Sequence, residues 1–252
     1  MTAKTAMTAK TIKTTKKIIV GYDRSADAKA AAVWALGQAA RTGALVEFFF
    51  AYEWPSWAPA SRTIGAAPVW PGGETDRAVN GMLDEAVANA RQTHPGVRTK
   101  ISIERAGAAG TLIERSAEAS LIVLGSRGHD DMTGVFGSVS IAVSAQARCP
   151  VVVVRGEAPA GAPVVVGVDG SAPARSALHF ATELAAARSV PLRVHEAVDR
   201  PTTELAVAGE TAQMLVVGTR GRGALRGMLL GSVSQHLLRH SSCTVAVVPA
   251  SS

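Results

Sequence analysis

The chain has 252 residues, 47% of them hydrophobic and 4% aromatic, with a formal net charge of +6. That length suits one large or two ordinary domains, each with a packed core. Lys4, Lys10, Lys13, Lys16 and Lys17 all precede the first acid, so the charge excess belongs to a tail and excludes a basic nucleic-acid face.

Residues 1–16 are of low complexity, with Met-Thr-Ala-Lys-Thr twice, and read as a disordered tail. Lys17 to Asp23 is a short buried strand ending in an acid. Ser25 caps an Ala-rich helix over 26–42. A second strand runs from Leu45 to Tyr52. Residues 53–74 form a long loop holding Trp54, Trp57 and Trp70. Val79, Met82, Leu83, Ala86 and Ala90 give a helix over 75–91 one apolar stripe. The alternation from Val97 to Glu104 predicts an edge strand with one wet face. A helix over 109–119, a strand Leu121–Leu124, a helix Ser138–Arg148 and a strand Val151–Val154 complete a first domain, 17–155.

Residues 156–163 are a Pro/Gly/Ala linker, and then the pattern restarts over 164–249. Val164 to Asp169 matches the first strand. A helix from Ser171 and Pro173 to about Arg188 and a strand Leu192–Val198 follow. The step from Asp23 to Gly125 is 102 residues, but from Asp169 to Gly218 only 49, a shortfall of 53. The long loop, a helix and the alternating edge strand are what the second copy lacks. Loss of an edge strand leaves the inner strands paired, and the new edge open to covering or pairing.

Both copies place a glycine loop between a buried strand and a helix start. The first reads Leu124-Gly125-Ser126-Arg127-Gly128, then Gly137-Ser138-Val139. The second reads Val217-Gly218-Thr219-Arg220-Gly221, then Gly231-Ser232-Val233. Glycine permits close backbone approach, and a helix N-terminus offers free N–H groups to an anion. Arg220, Arg222 and Arg226 add positive charge. In an open α/β sheet the acid after strand one and the loop after strand four meet where ligands bind. Asp23 and Asp169 therefore either contact a ribose or base, or cap the following turn.

The pattern Gly-x2-Gly-x9-Gly-Ser, with Val-Gly-Val-Asp-Gly-Ser upstream, resembles the universal stress protein family in its tandem, ATP-binding form, from residue 17 to about 249. The resemblance implies an α/β fold. Two Rossmann-like (adenine nucleotide alpha hydrolase-like) domains would carry open parallel sheets in the order 3-2-1-4-5. The second would be truncated, without the third strand and preceding helix. It also implies an intrachain pseudo-dimer through the last strands, and a homodimer is compatible with the new edge.

The cofactor implied is ATP, with or without magnesium. By resemblance, Asp169 contacts the adenosine, Val217 and Gly218 line adenine and ribose, and Gly221, Gly231, Ser232 and Val233 hold phosphates beside Arg220. The matching first-copy residues are Asp23, Leu124, Gly125, Gly128, Gly137, Ser138 and Val139. Ala51 and Ala197 fall where the second strand would touch adenine. The first loop has eight residues between Gly128 and Gly137 and carries Asp130 and Asp131. Those carboxylates oppose a triphosphate unless a metal ion intervenes, so the second copy is expected to bind better.

The function expected is nucleotide-linked stress-response or signalling regulation without fast turnover. A slow ATPase and a nucleotide-free interaction module are the alternatives. There is no Gly-x4-Gly-Lys-Ser/Thr loop. His129 reads as a surface imidazole, and His179, His195, His236 and His240 show no triad or metal spacing. Cys149 and Cys243 read as small buried hydrophobes. No apolar run reaches the roughly 18 residues that span a bilayer, and no secretory signal opens the chain. A cytoplasmic protein without membrane or nucleic-acid partners is expected.

Overall fold

A computed structural model of the chain describes residues 16–52, 73–128, 137–156, 158–196, 201–221 and 230–250. The first unit runs β1 (Lys17–Gly21), α1 (Ala26–Thr42), β2 (Leu45–Ala51), α2 (Glu74–Thr93), β3 (Thr99–Glu104), α3 (Ala108–Arg115), β4 (Leu121–Gly125), α4 (Ser138–Gln146) and β5 (Val151–Val154). The second runs β6 (Val164–Val168), α5 (Ala172–Arg188), β7 (Leu192–Glu196), α6 (Pro201–Gly209), β8 (Met214–Gly218), α7 (Ser232–His240) and β9 (Thr244–Val248).

Local chemistry starts and stops these elements. The Ser25 hydroxyl accepts from the Ala28 amide at 3.0 Å and opens α1, and Gly43 closes it at a left-handed φ of 69°. Ser171 opens α5 in the same way, with Pro173 in the first turn. Several expected bounds shift: α2 runs from Glu74 to Thr93, and α4 ends at Gln146 rather than Arg148. β1 ends at Gly21, so Asp23 lies in the following loop. α3 stops at Arg115, and the Ser116 hydroxyl beyond it donates to Ile113 O and accepts from the Arg148 amide.

All strands join one sheet in the order β3-β2-β1-β4-β5-β9-β8-β6-β7. The first unit has the order expected for it, 3-2-1-4-5. The second has the same order less its third strand. Pairing is parallel within each unit and antiparallel at the seam, where Val151, Val152 and Val153 face Val247, Ala246 and Val245. The result is a mixed nine-stranded sheet rather than two separate parallel ones.

Two apolar layers cover it. Ile18, Val20 and Phe48 pack with Leu36 of α1 and Leu83 of α2, and the layer continues to Leu184 of α5. Ile19 and Ile122 on the other face pack with Leu112 of α3 and Val143 of α4, and the layer continues to Leu205 and Leu237 of α6 and α7. Strands buried on both sides read as unbroken runs such as Val151-Val152-Val153-Val154. At the seam the Arg188 guanidinium stacks 4.6 Å from the Trp34 ring centroid, tying α5 to α1. Cys149 and Cys243 are buried free thiols. No helix among the described residues is long and apolar enough to cross a membrane.

Candidate functional site

The acid and the glycine loop meet in both units. Asp23 Oδ1 accepts from the Ser25 amide at 3.0 Å, and Asp169 Oδ1 accepts from the Ser171 amide at 3.0 Å. Their other oxygens reach the loops. A Cβ built on Gly128 would lie 3.1 Å from Asp23 Oδ2, and one on Gly221 only 2.5 Å from Asp169 Oδ2. A side chain at Gly221 would displace that carboxylate. Glycine is needed here for space between chain and acid, not for a special backbone angle.

The loops are braced identically. Gly137 N–H donates to Ser126 O at 3.1 Å, and Gly231 N–H to Thr219 O at 2.8 Å. Ser140 Oγ donates to Gly125 O at 2.8 Å, and Ser234 Oγ to Gly218 O at 2.6 Å. These two serines escaped the sequence reading, although Gly-Ser-Val-Ser occurs in both copies. Among the described residues no side chain caps α4 or α7 at Gly137 or Gly231, unlike the Ser-capped α1 and α5. The first-turn N–H groups at Ser138–Val139 and Ser232–Val233 are thus open to an anion.

In the first unit these parts surround one cavity of about 880 Å³. Asp23, Ala51, Leu124 and Gly125 line it, and so do Gly128, Gly137, Ser138 and Val139. All eight residues expected in the first copy therefore share one space. Arg24 and Arg127 give it positive charge.

The cavity also has walls that sequence reading assigned elsewhere. Thr75, Ala78, Val79 and Met82 of α2 close one side, and Ala108 and Leu112 of α3 another. Their helical spacing reads as core, and only the topology shows that part of that face borders an opening. α2 is fixed at the rim by Tyr52, which donates to Asp76 Oδ1 at 2.8 Å, while Arg105 pairs with Asp76 Oδ2 at 3.1 Å. Burial, reinforced by the Asp76 carboxylate, pushes the Tyr52 phenol up to about 12.

The units differ at the loop in one further respect. In the first, Asp27 of α1 accepts from Ser126 Oγ at 2.6 Å, from the Arg127 amide at 3.0 Å and from Arg127 Nε at 3.3 Å. Burial pushes its carboxyl up, but these bonds outweigh it and hold it below its ordinary value. In the second unit Pro173 stands at the matching position, its Cβ packed on Gly218.

In the second unit Asp169 follows β6, and Val217, Gly218, Arg220, Gly221, Gly231, Ser232 and Val233 hold the corresponding places on β8, the loop and α7. Only four residues separate β7 from α6, so nothing corresponds to the α2 wall. Ala197, Arg222 and Arg226 lie outside the described residues, as do His129, Asp130, Asp131 and the Trp54–Trp70 segment. Among the described residues no three His, Cys, Asp or Glu side chains converge on a metal-sized space.

The comparisons agree with this architecture. Residues 14–155 and 194–249 match the model of the "Universal stress protein family". The universal stress protein Rv2005c of Mycobacterium tuberculosis is 30% identical over 291 aligned positions, covering 91% of this chain and 96% of the relative. Those positions outnumber the 252 residues present, so the relative carries residues that this chain lacks. A protein of unknown function from Pseudomonas aeruginosa superposes with a TM-score of 0.69 at 15% identity, over 94% of this chain and 93% of its own. A universal stress protein from Archaeoglobus fulgidus superposes with a TM-score of 0.64 at 19% identity, over 93% and 98%. Sequence and fold together show that the chain belongs to the universal stress protein family, with a partial second domain.

Proposed function

We propose that this protein binds an adenine nucleotide, ATP with or without magnesium, and acts as a cytoplasmic stress-response or signalling regulator. The observation that carries the reading is the first-unit cavity. It joins an apolar compartment to a glycine loop and an uncapped helix start, and its 880 Å³ suits a nucleotide. Ala51, Val79 and Leu112 would flank a purine, Asp23 would meet the ribose, and Gly128, Gly137 and Ser138 would face phosphate.

Loop spacing alone favours the second unit. Enclosure favours the first, because a base held between walls loses most of its contact with water. We therefore place the tighter site in the first unit and a more open one around Asp169, Gly221 and Gly231. Asp23 is engaged by the Ser25 amide, which fits holding a ligand better than abstracting a proton, in keeping with regulation by binding rather than by fast turnover. A nucleotide-free interaction module is the second reading, favoured by the bare edge of the second unit.

Calorimetric titration of ATP with magnesium into nucleotide-stripped protein tests this. Binding that is lost in Asp23→Ala and kept in Asp169→Ala is expected. The opposite pattern would move the site to the second unit. No heat from any variant would leave the interaction module.

A further inference from the structure

The sheet ends at β7, and among the described residues only β6 pairs with it. Val164 donates its N–H to Pro191 O at 2.9 Å, which sets the alternation along β7. The backbone groups of Arg193 and His195 turn toward β6, and those of Leu192, Val194 and Glu196 turn outward. Side chains alternate as well. His195 Nε2 meets Glu204 of α6 at 2.8 Å, so Arg193 and His195 face the α6 layer. Leu192 packs on the α5 layer and Val194 shares its face. Val194 faces Val166 as Phe48 faces Val20 in the first unit. Phe48 is 0% exposed beneath α1 and α2, whereas Val194 is 52% exposed.

We propose that β7 pairs antiparallel with β7 of a second copy of this chain, about a two-fold axis at Val194. In that register Val194 meets the partner's Val194, and Leu192 meets the partner's Glu196. All the outward backbone groups are then used, about six hydrogen bonds in all. Arg193 falls in a close, non-hydrogen-bonded pair with the partner's His195, within reach of the partner's Glu204. The contact is made twice, so the strand is its own charge complement. That self-complementarity selects a second copy over a foreign strand. The chain already makes such a joint between β5 and β9. Among the described residues no helix stands beyond β7 on the α5 side, because the counterpart of α2 is missing. So short an interface sits at the small end of specific contacts, and it dissociates on dilution.

Sedimentation velocity on the full chain across a dilution series tests the pairing. Wild type should pass from dimer to monomer as it is diluted. Val194→Pro removes an outward N–H that no bond to β6 uses, and proline is tolerated at a strand edge. It should be monomeric throughout, with a thermal melt that matches wild type at dilutions where wild type is itself monomeric. Arg193→Glu, an exposed change that leaves folding intact, should also be monomeric, and adding Glu204→Arg should restore the dimer. A wild type that stays monomeric at the highest concentration, or a Val194→Pro protein as dimeric as wild type, overturns the proposal.

Discussion

Asp27 holds Arg127 at both ends, taking the backbone N–H at 3.0 Å and the side-chain Nε at 3.3 Å. The first glycine loop is thereby shaped by a carboxylate, which also subtracts charge from the loop's own cation. Asp27→Asn keeps an acceptor for the amide and removes the negative charge. Relief of about 1 kcal/mol, roughly a fivefold gain in affinity for ATP at the first site, is expected. Calorimetry on the variant measures it. The same change has a pH signature. A carboxyl held below its ordinary value contributes stability that is full at neutral pH and lost as pH falls through its folded value, below about pH 4. The variant should therefore lose less stability than wild type on acidification, and the gap between the two should close as pH falls through that window, as urea unfolding at a series of pH values would show.

Much of this site is legible in the amino-acid sequence. The buried runs ending at Gly125 and Gly218, the serine caps and the 53-residue shortfall locate the strands, the loops and the missing edge. What was hidden depends on contacts across the sheet. Asp27 looks like any acid in a helix's first turn, which the helix dipole favours in every protein. Its tie to Arg127 spans 100 residues. Val79 and Met82 carry a core-like period, and nothing local says that one end of α2 borders a cavity. Expecting the second loop to bind better weighs phosphate contacts, whereas the walls that α2 and α3 give the first unit become visible only with the topology.

Tyr52 is the pin of that wall. Tyr52→Phe removes the 2.8 Å bond to Asp76 and should cost about 1 kcal/mol of stability, measured by urea unfolding. It should also weaken nucleotide binding several-fold, because the first turn of α2 borders the cavity. The phenol raised to about 12 adds a test at high pH. A raised value means that the stabilisation is full below the unfolded tyrosine value of about 10, then lost as pH climbs to about 12. Wild type should lose more stability than Tyr52→Phe across that window.

Glu47 is a charge inside the sheet, with 0% side-chain exposure, held by Arg115 at 2.6 Å. Lys100 and Lys17 stand farther off at 3.6 and 3.7 Å. Burial raises its carboxyl, but Arg115, with Lys100 and Lys17 behind it, outweighs that and keeps it below its ordinary value. Removing the close partner costs more than the pair contributes, because a buried charge is left behind. Arg115→Met should destabilise by about 2–3 kcal/mol, the lower end for a buried pair, since Arg115 is 20% exposed. Adding Glu47→Gln should recover part of that loss. Denaturant midpoints for the single and double variants give the coupling directly.

Arg24 sits at a left-handed φ of 70°, and Gly170 occupies the matching place in the second unit at 78°. Both follow the strand-end turn that presents the acid, so the turn demands this angle. Glycine adopts it freely; a residue with a side chain is held there at about 1 kcal/mol. The first unit keeps an arginine despite that cost, and the arginine lines the cavity next to Asp23. Strain of this kind persists where the surroundings enforce it, and it often marks a functional position. Arg24→Gly should therefore move two quantities in opposite directions. Unfolding free energy should rise by up to about 1 kcal/mol, less what the freer unfolded glycine takes back. Affinity for a phosphate-bearing nucleotide should fall, while affinity for adenosine should not. Urea titration and calorimetry with ATP and adenosine separate the effects. If stability rises with no change for either ligand, Arg24 is a strained bystander and the anion end of the cavity rests on Arg127 and α4 alone.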